Sequence, residues 1–277
     1  MKKSILYLSI IMVLAGCQEP INIKLKSTDS KTVIEAIYSP FTKGFDVMVS
    51  KNATYFGNDS IQGISNADII VSFDDTIVHL INYHNGIYYY PLSNKYLYKK
   101  YTINVTANGT TYTAVSTMPK SVKIDSINIK EAEGILARTG GNTKDSSKEY
   151  TINVYFKDPV GSNYYKIILF KNNVRMTDDP QSEEQIFDDS FFKSNTTIDV
   201  PLVIKCFGNE SIRVELMNVD KPAYDYFLSL QTMMNSAGGS FSVPQNPTSN
   251  FNNDALGYFS AYGSDTISAI VPLPKKK

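Results

Sequence analysis

The chain has 277 residues, with 27 lysines and arginines against 27 aspartates and glutamates, so its formal net charge is zero. Such a balance provides no electrostatic field that would attract nucleic acid. Its two cysteines, Cys17 and Cys206, are too few for a disulfide framework, so the stability of the fold must come from a hydrophobic core.

Residues 1–16 have the pattern of a secretory signal peptide. A basic start, Lys2-Lys3, precedes an apolar run that ends in the small pair Ala15-Gly16. The run is too short to span a bilayer, which needs about 20 residues. Because Cys17 follows the small pair directly, residues 14–17 have the form of a lipobox. We therefore predict that Cys17 is lipidated and becomes the new N-terminus, held in the membrane by several acyl chains. The alternative is an ordinary signal peptide in which Cys17 is incidental.

Residues 17–30 are polar, and we expect them to form a tether between the lipid and the folded part. Gln18 after the cysteine, where an aspartate would signal retention, fits release to the outer membrane. Cleavage before Cys17 leaves 25 basic and 27 acidic residues, a net charge of about −2. The basic residues of the C-terminal stretch 273–277 are expected to be a solvated tail.

Beyond the tether, apolar residues recur with a period of two, which is typical of half-buried strands. The clearest examples are Tyr101–Val105 and Tyr150–Val154, which share the sequence YTINV. The same pattern predicts further strands at Thr32–Ile37, Phe45–Ser50, Asp68–Phe73, Val78–Ile81, Gly86–Tyr90, Lys123–Lys130, Thr197–Ile204 and Ile212–Asn218.

Turn residues separate these strands. Asn108-Gly109 is a strong hairpin signal, because both residues tolerate positive φ, and Asp158-Pro159 with Gly161 predicts another turn. Many short strands at such spacing indicate β-sandwiches. We predict a mainly β fold with two sandwiches of the transthyretin-like or immunoglobulin-like kind, one over residues 31–119 and one over 120–272.

One helix is predicted in the C-terminal domain, near residues 221–235. Asp220 can cap its N-terminus, Pro222 falls in the first turn, and Gly238-Gly239 would end it. Its expected apolar face would pack on the second sandwich and consists of Tyr224, Phe227, Leu228, Leu230 and Met234.

Ten short pieces follow one another in a characteristic order: VIEA at 33–36, GISNADIIV at 63–71, NGIYYY at 85–90, YTINVTANGTTYTAVSTMP at 101–119, IDSI at 124–127, DPVGSNYYKI at 158–167, FDDSFF at 187–192, VELMNVDKPAYDYFLSLQ at 214–231, NPTSNF at 246–251 and GYFSAYG at 257–263. On these pieces the chain resembles the lipoproteins of domain-of-unknown-function family number 4249 over nearly the whole mature sequence. Two positions depart from the family pattern: Ala36 stands where glycine is usual, and Ser190 is not followed by glycine.

The resemblance implies an outer-membrane lipoprotein that faces the cell surface and is often associated with a TonB-dependent transporter. It also implies that the N-terminal sandwich is similar to the transthyretin-like accessory modules found beside such transporters.

The residues themselves offer little catalytic chemistry. The two histidines, His79 and His84, would lie on opposite faces of one strand and so could not share a metal ion. Cys206 follows apolar residues and is best interpreted as a small buried hydrophobe. Motifs for nucleophilic hydrolases, zinc proteases, phosphate loops and dinucleotide binding are missing from the sequence. We therefore expect no cofactor, no metal and no enzymatic activity.

Two clusters are candidates for ligand binding. The first is the acidic stretch 178–192, which includes Asp178, Asp179, Glu183, Glu184, Asp188 and Asp189. It is expected to be a solvated loop anchored by Phe187, Phe191 and Phe192. The alternatives are a ligand or calcium contact and, for Asp188 with Asp189, acid–base catalysis by a surface hydrolase.

The second cluster holds six tyrosines between positions 88 and 101. Tyrosine suits both sheet packing and recognition surfaces, so Tyr88 and Tyr90 are candidate ligand contacts. Taken together, the sequence predicts a non-catalytic binding or accessory module at the membrane. A structural or assembly component of the cell surface is the alternative.

Overall fold

The structure is a computed structural model that describes residues 30–52, 61–93, 97–132, 148–176, 184–236 and 246–273. Several predictions concern residues outside these ranges: the signal peptide, Cys17 and most of the tether, the acidic side chains 178–184, the helix end at Gly238-Gly239 and the lysines of the C-terminal tail.

The described residues are mainly β, with eighteen strands and one helix, α1 (Lys221–Ser236). The strands are β1 (Thr32–Ser39), β2 (Gly44–Lys51), β3 (Gln62–Gly63), β4 (Asp68–Phe73), β5 (Thr76–His79), β6 (Ile81–His84), β7 (Ile87–Pro91), β8 (Lys100–Ala107), β9 (Thr110–Thr117), β10 (Ile124–Glu131), β11 (Lys148–Lys157), β12 (Tyr164–Lys171), β13 (Val174–Arg175), β14 (Glu184–Asp188), β15 (Thr197–Cys206), β16 (Ser211–Val219), β17 (Leu256–Ala261) and β18 (Gly263–Ile270).

These strands form four sheets. Sheet I has the order β17-β1-β2-β7-β6, with β3 beside β2, and sheet II has the order β5-β4-β8-β9. Sheet III is β10-β11-β15, and sheet IV is β13-β12-β16-β18, with β14 also beside β12. We call sheets I and II the N-terminal unit, and sheets III and IV the C-terminal unit.

The predicted strands are confirmed with one correction. The segment predicted as a single strand, Val78–Ile81, is divided between β5 in sheet II and β6 in sheet I. The chain changes sheets at Leu80, whose N–H donates to the carbonyl of Ile69 at 3.0 Å and whose side chain is buried. Consequently His79 and His84, which were expected on one strand, belong to different sheets.

In the N-terminal unit, the inward side chains of sheets I and II share one hydrophobic core. The alternation seen in the sequence places Ile103 and Val105 of β8 inside, against Ile34 and Val47 of sheet I. The predicted hairpin between β8 and β9 is confirmed: Asn108 and Gly109 both have positive φ, 52° and 80°.

The N-terminal core also contains side chains from far along the sequence. β17 pairs with β1 in parallel, with Ala36 beside Phe259, and Phe259 is fully buried in this core. The segment before it is tied to β9 by a hydrogen bond from the Asn252 N–H to the Thr113 carbonyl, at 3.1 Å. Residues 256–261, which the sequence assigned to the second domain, therefore lie in the N-terminal sheet. The exact domain limits and the resemblance to transthyretin-like sandwiches stay predictions.

In the C-terminal unit, side chains of sheets III and IV form a second core, which includes Ile152, Leu202 and Leu216. A third cluster covers the outer face of sheet IV, where Ile168 and Met217 pack against α1 and against Tyr258 of sheet I. Strand β16 is therefore covered on both faces, because the two units and the helix meet over it.

Helix α1 begins as predicted, since an Asp220 carboxylate oxygen accepts a hydrogen bond from the Ala223 N–H at 3.3 Å. The expected apolar face is partly wrong. Leu228 and Met234 are exposed, whereas Ala223 and Tyr226 are buried beside Tyr224 and Phe227. The reason is that the helix packs on β12, β14 and β17 together, so Tyr226 reaches sheet I and stacks on Tyr258 with ring centroids 4.6 Å apart.

Candidate functional site

The acidic stretch is more ordered than the sequence indicated. Within its described part, residues 184–188 form strand β14 and pair with β12, where a solvated loop was expected. The prediction missed this strand because EQIFD has polar ends and only a short alternation. Sheet pairing places Asp188 and Asp189 at the end of β14, beside the first residues of β12.

Asp188 is held by local hydrogen bonds. Its Oδ1 accepts from the N–H of Ser190 at 3.1 Å and from the hydroxyl of the same residue, and its Oδ2 accepts from the Tyr224 hydroxyl at 3.3 Å. The hydrogen bond from the Ser190 hydroxyl is the main reason that the pKa of Asp188 lies below its ordinary value. A general acid needs the opposite shift, so this geometry does not favour the hydrolase alternative.

Asp189 closes the turn that precedes β12. Its Oδ2 accepts from the backbone N–H of Asn163 at 2.8 Å and from the side-chain amide of Asn163 at 3.1 Å. The same amide donates to the carbonyls of Pro159 and Gly161. Asp189 therefore has a clear structural role in fixing the turn that residues 158–163 were predicted to make.

Only one of the three expected aromatic anchors of this stretch, Phe187, packs against the core, and it is partly buried. Phe187 packs beside Tyr165, with ring centroids 5.4 Å apart, whereas Phe191 is 95% exposed and Phe192 is partly exposed. The expectation for Phe191 is wrong, because β14 ends at Asp188 and the chain turns outward.

The tyrosine cluster between positions 88 and 101 is divided between core and surface. Tyr88 is only 1% exposed; its hydroxyl donates to the Ile64 carbonyl and accepts from the Ala67 N–H, both at 2.8 Å. It therefore offers no free surface to a ligand in this structure. Tyr90 packs partly against the same core, so its role as a ligand contact stays a prediction.

The neighbours of Tyr88 form an exposed apolar face that the sequence did not reveal. Tyr89 pairs with Ile81 across β6 and β7, and Ile87 lies two residues away on the same outer face. Beside them Tyr83 is 84% exposed, in the bulge of the edge strand β6. Because tyrosine stands at both inward and outward positions of NGIYYY, periodicity alone could not separate core from surface.

His79, His84 and Cys206 lie in the described part of the chain, and none of them belongs to a metal-binding cluster there. Within the ranges that the structure describes, no group of three or more histidine, cysteine, aspartate or glutamate side chains is placed to hold a metal ion. Cys206 is buried, as predicted, and burial raises the pKa of its thiol to about 12, so the reactive thiolate is disfavoured.

A group of buried charged side chains between the two units was also not predicted from the sequence. Lys166 of β12 and Glu215 of β16 are both buried on the outer face of sheet IV, and Arg213 lies two residues before Glu215 on that face. The clue in the sequence was SIRVELMNV, in which charges occupy the supposedly exposed positions of a strand. Alternation alone predicts such positions to be solvated, and only the covering by α1 and sheet I buries them.

Two family models match the chain, one over the folded part and one over its N-terminal segment. The family model described as domain of unknown function (DUF4249) matches residues 18–268, and the chain belongs to this family. A second model, the prokaryotic membrane lipoprotein lipid attachment site, matches residues 1–18, a segment whose only cysteine is Cys17. The protein is thus a membrane-anchored lipoprotein. A search of curated proteins finds no match.

The lipid anchor attaches the protein to the membrane. Among the residues that the structure describes, no helix has the length and apolar character required to cross a bilayer.

Proposed function

We propose that this lipoprotein is a non-catalytic accessory or binding subunit of the outer membrane, facing the cell surface beside a TonB-dependent nutrient transporter. The observation that carries the proposal is the exposed apolar face of β6 and β7 on a chain that is confined to a membrane by lipid. Large exposed apolar patches commonly mark protein contacts.

The position of this face favours a protein partner. β6 is the last strand of sheet I, so among the described residues one of its edges has no neighbouring strand. Ile81 and Tyr83 of β6 are both largely exposed, and Tyr89 adds a third apolar side chain from β7. Aromatic side chains of this kind supply much of the binding energy in protein interfaces. The bulge in β6 disfavours simple addition of another strand, so we expect side-chain contacts with the partner.

The proposal is tested by photo-crosslinking in intact cells. A photoreactive amino acid at Tyr83 should form a crosslink to an integral outer-membrane protein of transporter size, identified by mass spectrometry. Val160 is the matched control, because it is 82% exposed but belongs to a turn of the C-terminal unit. If Tyr83 and Val160 gave the same crosslinks, the surface would not be specific. A crosslink to a pilus or adhesin subunit would favour the structural alternative.

The location is tested separately through the anchor. Cys17→Ser removes the thiol that accepts the lipid, and each buried methylene of an acyl chain contributes about 0.8 kcal/mol to membrane binding. We expect the variant to leave the detergent phase and to migrate differently on a gel, because lipoprotein-type cleavage also fails. Membrane association of Cys17→Ser in cells without the transporter would contradict the anchor assignment. For the wild type, protease accessibility on whole cells distinguishes the cell surface from the periplasm.

A further inference from the structure

The most unusual chemistry of the molecule lies where the N-terminal unit covers the outer face of sheet IV. The guanidinium of Arg213 on β16 lies 3.7 Å from the centroid of the Phe170 ring and 5.0 Å from that of Phe41. Phe41 belongs to the turn between β1 and β2, so aromatic rings from both units contact this one cation. Such contacts hold a guanidinium by cation–π attraction without using its N–H groups.

Two polar atoms at this place are buried and unsatisfied. Glu215, two residues after Arg213, is only 2% exposed. Among the described residues, neither Oε1 of Glu215 nor Nη1 of Arg213 has a hydrogen-bond partner. Leaving a buried charged group unpaired costs more than an ordinary hydrogen bond contributes. A donor and an acceptor, side by side on one strand face, are therefore available to a bound molecule.

The surroundings are net positive. Lys166 lies buried on the same sheet face, with its ammonium 4.1 Å from the centroid of the Phe227 ring. Arg175 contributes a further positive charge that acts on Glu215, and Ser264 donates a hydrogen bond to its carboxylate. Tyr262, between β17 and β18, lies near this group: burial, and after it the charge of Glu215, raises the pKa of its hydroxyl. Arg213, Arg175 and Lys166 all act on Glu215, and Asp46 is a second carboxylate near Tyr262. Three cations against two carboxylates favour an anionic ligand.

We propose that Arg213 and Glu215 bind a small carboxylate that carries a hydrogen-bond donor next to its carboxyl group, an α-hydroxy acid or an α-amino acid. Nη1 of Arg213 donates to the ligand carboxylate, a charge-assisted hydrogen bond. Oε1 of Glu215 accepts from the neighbouring hydroxyl or ammonium group. Entry is from the side of Phe41 and Arg175, both of which are exposed. This site gives a ligand class to the binding role proposed above and rests on it.

The test uses the mature chain, residues 17–277, produced without the signal peptide and with Cys17→Ser so that no lipid is attached. Isothermal titration with glycolate, glycine and acetate compares a hydroxy acid, an amino acid and a carboxylate without the second group. We expect glycolate or glycine to bind about tenfold more tightly than acetate, because one additional hydrogen bond to a charged group is formed.

Substitutions at Arg213 and Glu215 distinguish an α-hydroxy acid from an α-amino acid as the ligand. Arg213→Gln should weaken the binding of all three probes. Glu215→Met should abolish the preference for glycolate or glycine over acetate. Glu215→Gln keeps a hydrogen-bond acceptor but loses the negative charge. If the ligand is an amino acid, this variant should weaken the binding of glycine more than the binding of glycolate. Lys205→Gln is the control on the outside of β15 and should change nothing. If Arg213→Gln fails to fold, Arg213→Lys replaces it, because it keeps the positive charge. This variant should still weaken the binding of the carboxylate probes, because the planar guanidinium is lost.

Two results would overturn the site. One is the absence of any preference for glycolate or glycine over acetate in the parent protein. The other is unchanged probe binding in folded Arg213 and Glu215 variants, which would give both residues a purely structural role between the units. A persistent transporter crosslink at Tyr83 together with either result would show that the ligand site fails while the accessory function stands.

Discussion

The two units of this chain differ in how their cores are completed along the sequence. The C-terminal unit takes its strands from residues 124–219 and 263–270. The N-terminal unit takes most of its strands from residues 32–117, but its core also needs Phe251, Phe259 and Ala261 from near the other end of the chain. The N-terminal unit, although synthesised first, therefore cannot be completed until nearly the whole chain has been made.

Hydrogen bonds fix both sides of the short link that joins β17 of the N-terminal unit to β18 of the C-terminal unit. The N–H of Ala261 donates to the Ser116 hydroxyl at 2.8 Å, and the N–H of Tyr262 donates to the Tyr38 carbonyl at 2.9 Å. From the C-terminal unit, Asp265 accepts from the N–H of Ile124 at 2.8 Å. Gly263 fits here because a side chain would collide with the backbone of the connecting segment, with Ser121 N only 2.5 Å from the Cβ position. We therefore expect the two units to unfold together.

The largest expected effect comes from separating the units. A fragment of residues 30–119 lacks β17 and the buried side chains of residues 251–261. Burial of a phenylalanine contributes about 1.5–3 kcal/mol, and two are lost from a unit whose stability should be no more than about 5–15 kcal/mol. The fragment should show no cooperative urea transition by circular dichroism, and a peptide of residues 246–262 should restore one. A stable fragment without the peptide would establish the N-terminal unit as an independent domain.

Among single substitutions, Phe259→Ala should have the largest effect on the coupling between the two units. Removing a fully buried phenylalanine should destabilise the protein by about 3–5 kcal/mol. The natural reporter is Cys206, which lies in the other unit and is buried. In the Cys17→Ser background, Phe259→Ala should accelerate alkylation of Cys206 if the units open together. Leu202→Ala in the C-terminal core is the matched control. If only Leu202→Ala accelerated alkylation, the units would open independently.

Asp220 connects the helix to the end of the N-terminal unit. One of its oxygens caps α1 at Ala223, and the other accepts from the N–H of Thr117 at 2.8 Å. Asp220→Ala should cost about 1–2 kcal/mol, because an N-cap and a second hydrogen bond are lost. Asp220→Asn keeps one acceptor and should recover part of the difference in the midpoint of urea unfolding. Equal midpoints for Asp220→Ala and the parent protein would deny the contact any energetic role.

The smallest effect concerns Asp188 and depends on pH. Its folded-state pKa is lowered, mainly by the Ser190 hydrogen bond. Its stabilisation is therefore fully present above the unfolded pKa of about 3.9 and is lost as pH falls through the folded pKa. Asp188→Asn should cost up to about 1 kcal/mol at pH 7, and less at pH 3, measured by urea unfolding. Asp75→Asn, in the exposed turn between β4 and β5, is the control. A cost for Asp188→Asn that did not change with pH would contradict this account.

Local sequence determined much of this protein. The lipid attachment segment, the alternating strands such as Tyr101–Val105, the Asn108-Gly109 hairpin and the cap at Asp220 follow from rules that involve neighbouring residues only. The burial of Cys206 followed from its apolar neighbours in the same way. Even the family resemblance rests on an ordered series of short local pieces.

Tertiary structure alone decided the rest, because a strand pattern states that one face is buried without stating what covers it. Thus the alternation in Leu256–Ala261 could not reveal β1 as its partner, and Leu80 gave no sign that the chain changes sheets there. The helix face shifted toward Tyr226 because a second surface, sheet I, was available to it. Arg213 and Glu215 occupy positions that alternation assigns to solvent, and they are enclosed only because residues distant in sequence fold over them.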